Sequence, residues 1–250
     1  MDTKNLDLGL LVTLEALLAE GNVSRAARLL NRTVASIGSV KTEDLISLIA
    51  QDTRQPVNLT FVLSGAVVAG SLVSGLAFFT TLGFRHDIGQ AIETVRFGFR
   101  FVVTLSLFAA ALSLTGPVIR PGTDIGRKRW LLVIAPIFLL AAISLELFVT
   151  PSDVWLDKLI GHNALHCLTI IPALSVFPCT FLFLAMRQGA PEKPGLAGAL
   201  AGLVSVGIAA TLYATNCFDD SPLFVATWYP LATLIVVTVG YFAGKRFLKW

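Results

Sequence analysis

The chain has 250 residues, 55% of them hydrophobic and only 14% charged, with a formal net charge of +3. A soluble domain carries about a quarter charged residues, and no water-soluble core of this size hides so much apolar surface, so a bilayer has to serve as solvent. The small net charge argues against a nucleic-acid surface, and three cysteines are too few for a disulfide scaffold.

The first residues are polar and acidic, without the basic and apolar regions of a cleavable signal peptide. Residues 6–33 read as soluble helix–turn–helix material. Leu8, Leu10, Leu11, Leu14, Leu17 and Leu18 form an amphipathic stripe, Glu20-Gly21-Asn22 a turn, and Ser24 the N-cap of a second helix. The string LDLGLLVTLEALLAEGNVSRAARLL resembles the start of LysR-type transcription regulators. In that family a recognition helix follows at once, whereas NRTVASIGSVKTEDL lacks its pattern. A helix pair without its reader helix is not expected to bind DNA. Residues 1–39 therefore read as an N-terminal extension, either a cytoplasmic add-on or a mis-set start before a functional chain beginning near Val40. Lys41 to Ala50 reads as a short amphipathic helix, with Thr42 as N-cap and Leu45, Ile46, Leu48 and Ile49 on its apolar side.

Six long apolar blocks follow, each near the ~20 residues that a spanning helix needs. They cover approximately residues 58–84, 101–119, 130–150, 165–186, 195–216 and 222–244. The expected fold is all-α, a polytopic six-helix transmembrane bundle over residues 57–250. Short loops on one side hold Lys41, Arg54, Arg120, Arg127, Lys128, Arg129, Arg187, Lys193, Lys245, Arg246 and Lys249. The other side holds Arg85, Arg96, Arg100 and Lys158. By the positive-inside rule both termini are cytoplasmic. Ala66, Gly70 and Ser74, and again Gly198 and Gly202, recur every four residues; this fits close helix packing in lipid and equally the general Gly and Ala richness of membrane helices. Tyr213, Trp228, Tyr229 and Trp250 fit interfacial belts. Glu146 is an intramembrane carboxylate, either functional or snorkelling to the interface.

From Val40 onward the chain resembles the NrsF-type membrane anti-sigma factors of proteobacteria. The resemblance rests on VKTEDLISLIAQD, on GHNALHCLTIIPAL, on the basic C-terminal tail, and above all on RQGAPEKPGLAGALAGLVSVGIAATLYATNCFDDSPLFVATWY. It implies a bacterial inner-membrane protein that holds an extracytoplasmic-function sigma factor inactive. It also implies two functional cysteines, which map to Cys167 and Cys217. The expected sigma-binding segment is 40–56, with Glu43, Asp44, Leu45, Ile46, Leu48 and Ile49 entering a groove of the sigma factor.

The topology independently places Cys167 and Cys217 near the outer ends of the fourth and fifth spans. Cys179 lies ~18 Å further along the fourth helix at 1.5 Å per residue, and is expected to be a buried small apolar residue. Paired thiols at an oxidising face either form a disulfide or bind a soft metal. His162, His166, Cys167, Cys217 and Asp219 would supply a ligand set, with a heavy-metal ion as signal rather than as resident cofactor. No CxxC or HExxH spacing is present, and two inert interfacial cysteines fit the same residues. Asp219-Asp220-Ser221-Pro222 is a turn, with Asp220 or Ser221 capping the sixth span. The resulting expectation is a non-enzymatic regulator. A membrane thiol-redox protein and a small-solute or metal transporter are the alternatives, and both are disfavoured: three cysteines do not make two relay pairs, and charges are absent from mid-span.

Overall fold

The computed structural model describes residues 15–20, 25, 26, 28, 30, 58–120, 122, 123 and 126–249. The chain divides into two units, residues 1–56 and 57–250. In the first, residues 15–20 are helical, as are residues 25, 26 and 28, and Ala16 and Ala26 are buried. The amphipathic stretch from Lys41 to Ala50 lies outside the described residues.

The second unit is all-helical among its described residues, and six of its helices are long and apolar enough to cross a membrane. The main elements are α1 (Leu59–Thr81), α2 (Ile88–Ala91), α3 (Val95–Val118), α4 (Ile134–Val149), α5 (Trp155–Ile160), α6 (Ala164–Met186), α7 (Pro194–Ala214) and α8 (Pro222–Phe247). A 3-10 stretch, Gly126–Val133, leads into α4. The helix starts follow local chemistry. Asn58, Thr94 and Ser221 each accept a hydrogen bond from the first turn of α1, α3 and α8, and Pro194 and Pro222 occupy first-turn positions that need no N–H donor. Ser221, rather than Asp220, is thus the cap of the last span.

Within the helices, Thr80, Thr169, Thr180, Thr211, Thr227 and Thr233 return their hydroxyls to carbonyls one turn back. A hydroxyl satisfied in this way does not face lipid unpaired. Leu72, Leu76, Leu140, Phe148, Leu165, Leu234 and Val239 all point outward, so the apolar surface is on the outside, as a bilayer demands.

Most of α7 is buried, and it packs on α8, α3 and α6; α1 lies against α6. The close approaches occur where the side chain is a hydrogen. A Cβ on Gly198 would collide with the Gly240 carbonyl and the Gly244 backbone, and one on Gly70 would lie 2.5 Å from Pro178 Cα. Ser74 Oγ donates to Leu174 O at 3.1 Å in the same α1–α6 seam. The four-residue stripes are therefore packing tracks. By contrast, α4 buries only Ala135 and Glu146.

Span boundaries shift for identifiable reasons. α3 begins six residues before the apolar block at Phe101, because Arg96 and Arg100 enter the helix with carboxylate partners. α1 stops at Thr81, and Gly83 follows at φ +68, the left-handed region that suits glycine. The α8 helix runs on to Phe247.

Candidate functional site

Cys167 sits in the first turn of α6, its N–H donating to Asn163 O at 2.8 Å. Cys217 follows α7 by three residues, its N–H donating to Tyr213 O at 3.0 Å. Both are free thiols, exposed by 0% and 1%, so neither sulfur is open to solvent. They share one cluster with Phe78, Ile171, Tyr213, Phe224, Val225 and Tyr229. Tyr213 and Tyr229 were expected in an interfacial belt; instead they face inward beside the sulfurs, their ring centroids 6.5 Å apart. Cys179 is only half-buried and lines an open groove of about 580 Å³ between α6 and α8.

Two buried arginines grip the loop that carries Cys217. Arg85 chelates Asp87 through two bonds of 2.6 Å and reaches Asp220 Oδ1 and Oδ2 at 3.1 Å each. Its Nη1 also donates to the carbonyl of Cys217 at 3.0 Å. Arg100, entirely buried on α3, donates to that same carbonyl at 3.2 Å and to Asp219 O at 3.5 Å, and pairs through Nη2 with Asp220 Oδ1. One backbone oxygen is thus held by two guanidinium groups that share one carboxylate. Two further bonds join the loop after α1 to the segment after α7: Arg85 N–H donates to Thr215 O at 3.3 Å, and Asn216 Nδ2 to Gly83 O at 3.0 Å. Phe218 stacks on the Arg85 guanidinium at 4.8 Å. Charges at this depth persist because each is paired and hydrogen-bonded.

The chelate moves both titrations outward. Asp87 holds the Arg85 guanidinium charged above the ordinary arginine range, and Arg85 holds the Asp87 carboxyl down at about 2. Burial pushes the Cys217 thiol up; the positive charge of Arg100 opposes that rise.

Asp219 has a structural task. Its Oδ2 accepts from His162 N–H at 3.0 Å, Asn163 N–H at 2.8 Å and Asn163 Nδ2 at 3.0 Å, closing the entry to α6. Gly161 makes this approach feasible, with φ +59 and with Asp219 Cγ only 2.9 Å from where a Cβ would stand. The His162 ring is 98% exposed, its Nδ1 3.7 Å from Asp219 Oδ1, and His166 is exposed on α6. Because α6 starts at Ala164, His162 lies outside the helix while His166 lies in its first turn. Among the described residues no group of three or more His, Cys, Asp or Glu side chains is placed to hold a metal ion. The structure thus brings Cys167 and Cys217 into one cluster and leaves the histidines outside it.

Glu146, 5% exposed on α4, accepts from Arg96 Nη2 at 2.9 Å and from Lys158 Nζ at 2.9 Å. It is paired in the last turn of α4 with two part-exposed cations.

A family model described as NrsF, negative regulator of sigma F, matches residues 49–250. The chain belongs to the NrsF family. The anti-sigma-F factor NrsF of Caulobacter vibrioides (strain NA1000 / CB15N) is 32% identical over 216 residues, 84% of this chain and 100% of that protein. The probable anti-sigma-F factor NrsF of Azospira oryzae (strain ATCC BAA-33 / DSM 13638 / PS) is 28% identical over 216 residues, again 84% of this chain and 100% of that protein. No solved structure matches the chain.

In this NrsF-family chain the residues that sequence reasoning missed are Arg85, Arg100 and Asp220, with Tyr213 and Tyr229. Their clue was available. Arg85 after the first block, Arg100 before the second and the Asp219-Asp220 pair before the sixth carry opposite charges in loops that the expected topology puts on one side. The expected sigma-binding residues Glu43, Asp44, Leu45, Ile46, Leu48 and Ile49 lie outside the described residues.

Proposed function

We propose that this protein is an inner-membrane anti-sigma factor that sequesters an extracytoplasmic-function sigma factor and releases it when the Cys167–Cys217 pair meets a heavy metal or an oxidant. Family membership supports the anti-sigma role. The carrying observation for the sensor is that the two thiols, 50 residues apart in sequence, share one sealed cluster beneath the Arg85–Arg100 clamp. A soft metal ion would take both sulfurs as thiolates with loss of two protons. An oxidant would accept two electrons and two protons as a disulfide forms. The placement of lysines and arginines favours cytoplasmic termini, which puts residues 40–56 on the sigma side and the thiols on the periplasmic side. Sealed sulfurs favour a small signal over a protein disulfide-exchange partner.

The test is a sigma-dependent reporter in cells, joined to co-purification of the sigma factor with the full chain. Cys167→Ser/Cys217→Ser should keep the sigma factor bound and abolish induction. An unchanged response in that double variant defeats the sensor. Full sigma retention after deletion of residues 41–56 defeats the binding segment.

A further inference from the structure

An event at the Cys217 sulfur has to reach residues 40–56 from the opposite end of α1. That helix spans 23 residues, or ~35 Å at 1.5 Å per residue. Asn58 caps its first turn, and in sequence this helix follows the proposed sigma-binding segment. Its far end meets the thiol loop. Arg85, four residues past Thr81, donates from its backbone to Thr215 and from its side chain to the Cys217 carbonyl, and Asn216 bonds the carbonyl of Gly83.

The rest of α1 is seated firmly on one neighbour. It packs mainly on α6, along the small-residue track of Ala66, Gly70 and Ser74, and presents Phe61, Leu72 and Leu76 outward. A rigid helix seated on one track transmits displacement along its axis or rotation about it. The other tie to Cys217, Arg100, belongs to α3, which has little contact with α1.

We propose that Arg85 is the positioning residue that couples Cys217 to the sigma-binding segment, with α1 as the rod between them. The proposal rests on the thiol-sensing reading and adds its route. In the resting state the Cys217 carbonyl is within reach of Arg85. A reaction that shifts the Cys217 backbone withdraws that acceptor. Arg85 remains chelated to Asp87, on its own loop, so this one tie is lost without leaving a bare buried charge, while the bonds to Thr215, Asn216 and Asp220 still join the two loops.

The experiment uses the full chain purified in complex with its sigma factor, with mercuric ion as the thiol probe. Two readouts are taken: sulfurs consumed, and sigma factor retained. Arg85→Gln should consume the probe as wild type does, yet lose sigma factor before any probe is added. In cells its uninduced reporter output should rise roughly 2- to 30-fold, the range for residues that carry coupling. Arg85→Lys keeps the charge beside Asp87 but cannot also reach the carbonyl; it should fold and show a reduced induction ratio. Asp87→Asn leaves the Arg85 contact to Cys217 in place and should stay inducible.

Wild-type retention and induction in both Arg85 variants overturn the coupling while leaving the sensor standing. The same holds if Asp87→Asn loses induction as fully as Arg85→Gln, because generic charge loss then explains the effect. A wild-type response in Cys167→Ser/Cys217→Ser instead removes the sensor itself.

Discussion

Arg100 on α3, wholly inside the bundle, gives its guanidinium to the carboxylate of Asp220, on the loop that leads into α8. The pair joins segments 120 residues apart and, with Arg85, fixes the backbone of Cys217. Such a pair inside an apolar medium is weak evidence for stability as a whole, yet strong evidence that neither member is dispensable alone.

Removing one partner should therefore hurt more than removing both. Asp220→Leu leaves Arg100 buried and uncompensated, at a cost of about 3–5 kcal/mol. Arg85 is cushioned by Asp87 and contributes little to that loss. Arg100→Leu/Asp220→Leu should recover most of it. Thermal unfolding in detergent, followed by tryptophan fluorescence, ranks the variants; a double variant less stable than Asp220→Leu contradicts the argument.

Glu146 should fasten α4 specifically. That helix buries only Ala135 and Glu146, so little else holds it inward. Arg96 and Lys158 reach the carboxylate from α3 and α5. Glu146→Gln takes the negative charge out of three hydrogen bonds, two from Arg96 and one from Lys158, each worth about 1.5–3 kcal/mol to a charged group before part-exposure of the cations discounts them. Hydrogen exchange should quicken in α4 and the turn to α5, with α7 unchanged. Uniform quickening across the bundle would mean the residue supports the whole fold.

The six spans were legible because a lipid-facing surface has to be apolar over its whole length, and α1, α4 and α8 expose that surface directly. The start of α3 was not, because Arg96 and Arg100 look like loop residues until their partners, 50 and 120 residues away, are known. The thiols were legible as two groups at one membrane level. Their enclosure was not, since it depends on Tyr213 and Tyr229 turning inward rather than to the interface. The placement of His162 turned on one boundary: α6 begins at Ala164, which puts His162 before the helix and gives Asp219 a capping role.

Glycines of equal helix propensity should respond in opposite ways. At Gly198 an added Cβ meets the backbone of Gly240 and Gly244, which cannot turn aside as a side chain does. Gly198→Val should cost at least the ~1–3 kcal/mol of ordinary overpacking. At Gly65 and Gly75 nothing lies within 4 Å of the added atom. Gly→Ala there should be neutral or stabilising by up to ~1 kcal/mol through helix propensity. Melting of the three single variants decides it, and equal losses would dissolve the packing track.

Cys217 should be a reluctant thiol whose ionisation opposes the fold. Burial raises its pKa, with Arg100 pulling the other way. An unfolded cysteine ionises near ~8.5. The folded value is the higher one, so the neutral thiol is the form the fold favours. Its contribution is complete below ~8.5 and declines as pH rises toward the folded value. In a Cys167→Ser/Cys179→Ser background, maleimide labelling should be slow at pH 7 and accelerate only above the usual thiol range. Melting temperature should fall from pH 7 to pH 10, and fall less once Cys217 is also replaced by serine. Rapid labelling at pH 7 would show a sulfur that is neither sealed nor held neutral, and an equal fall with Cys217→Ser would assign the alkaline loss to other groups.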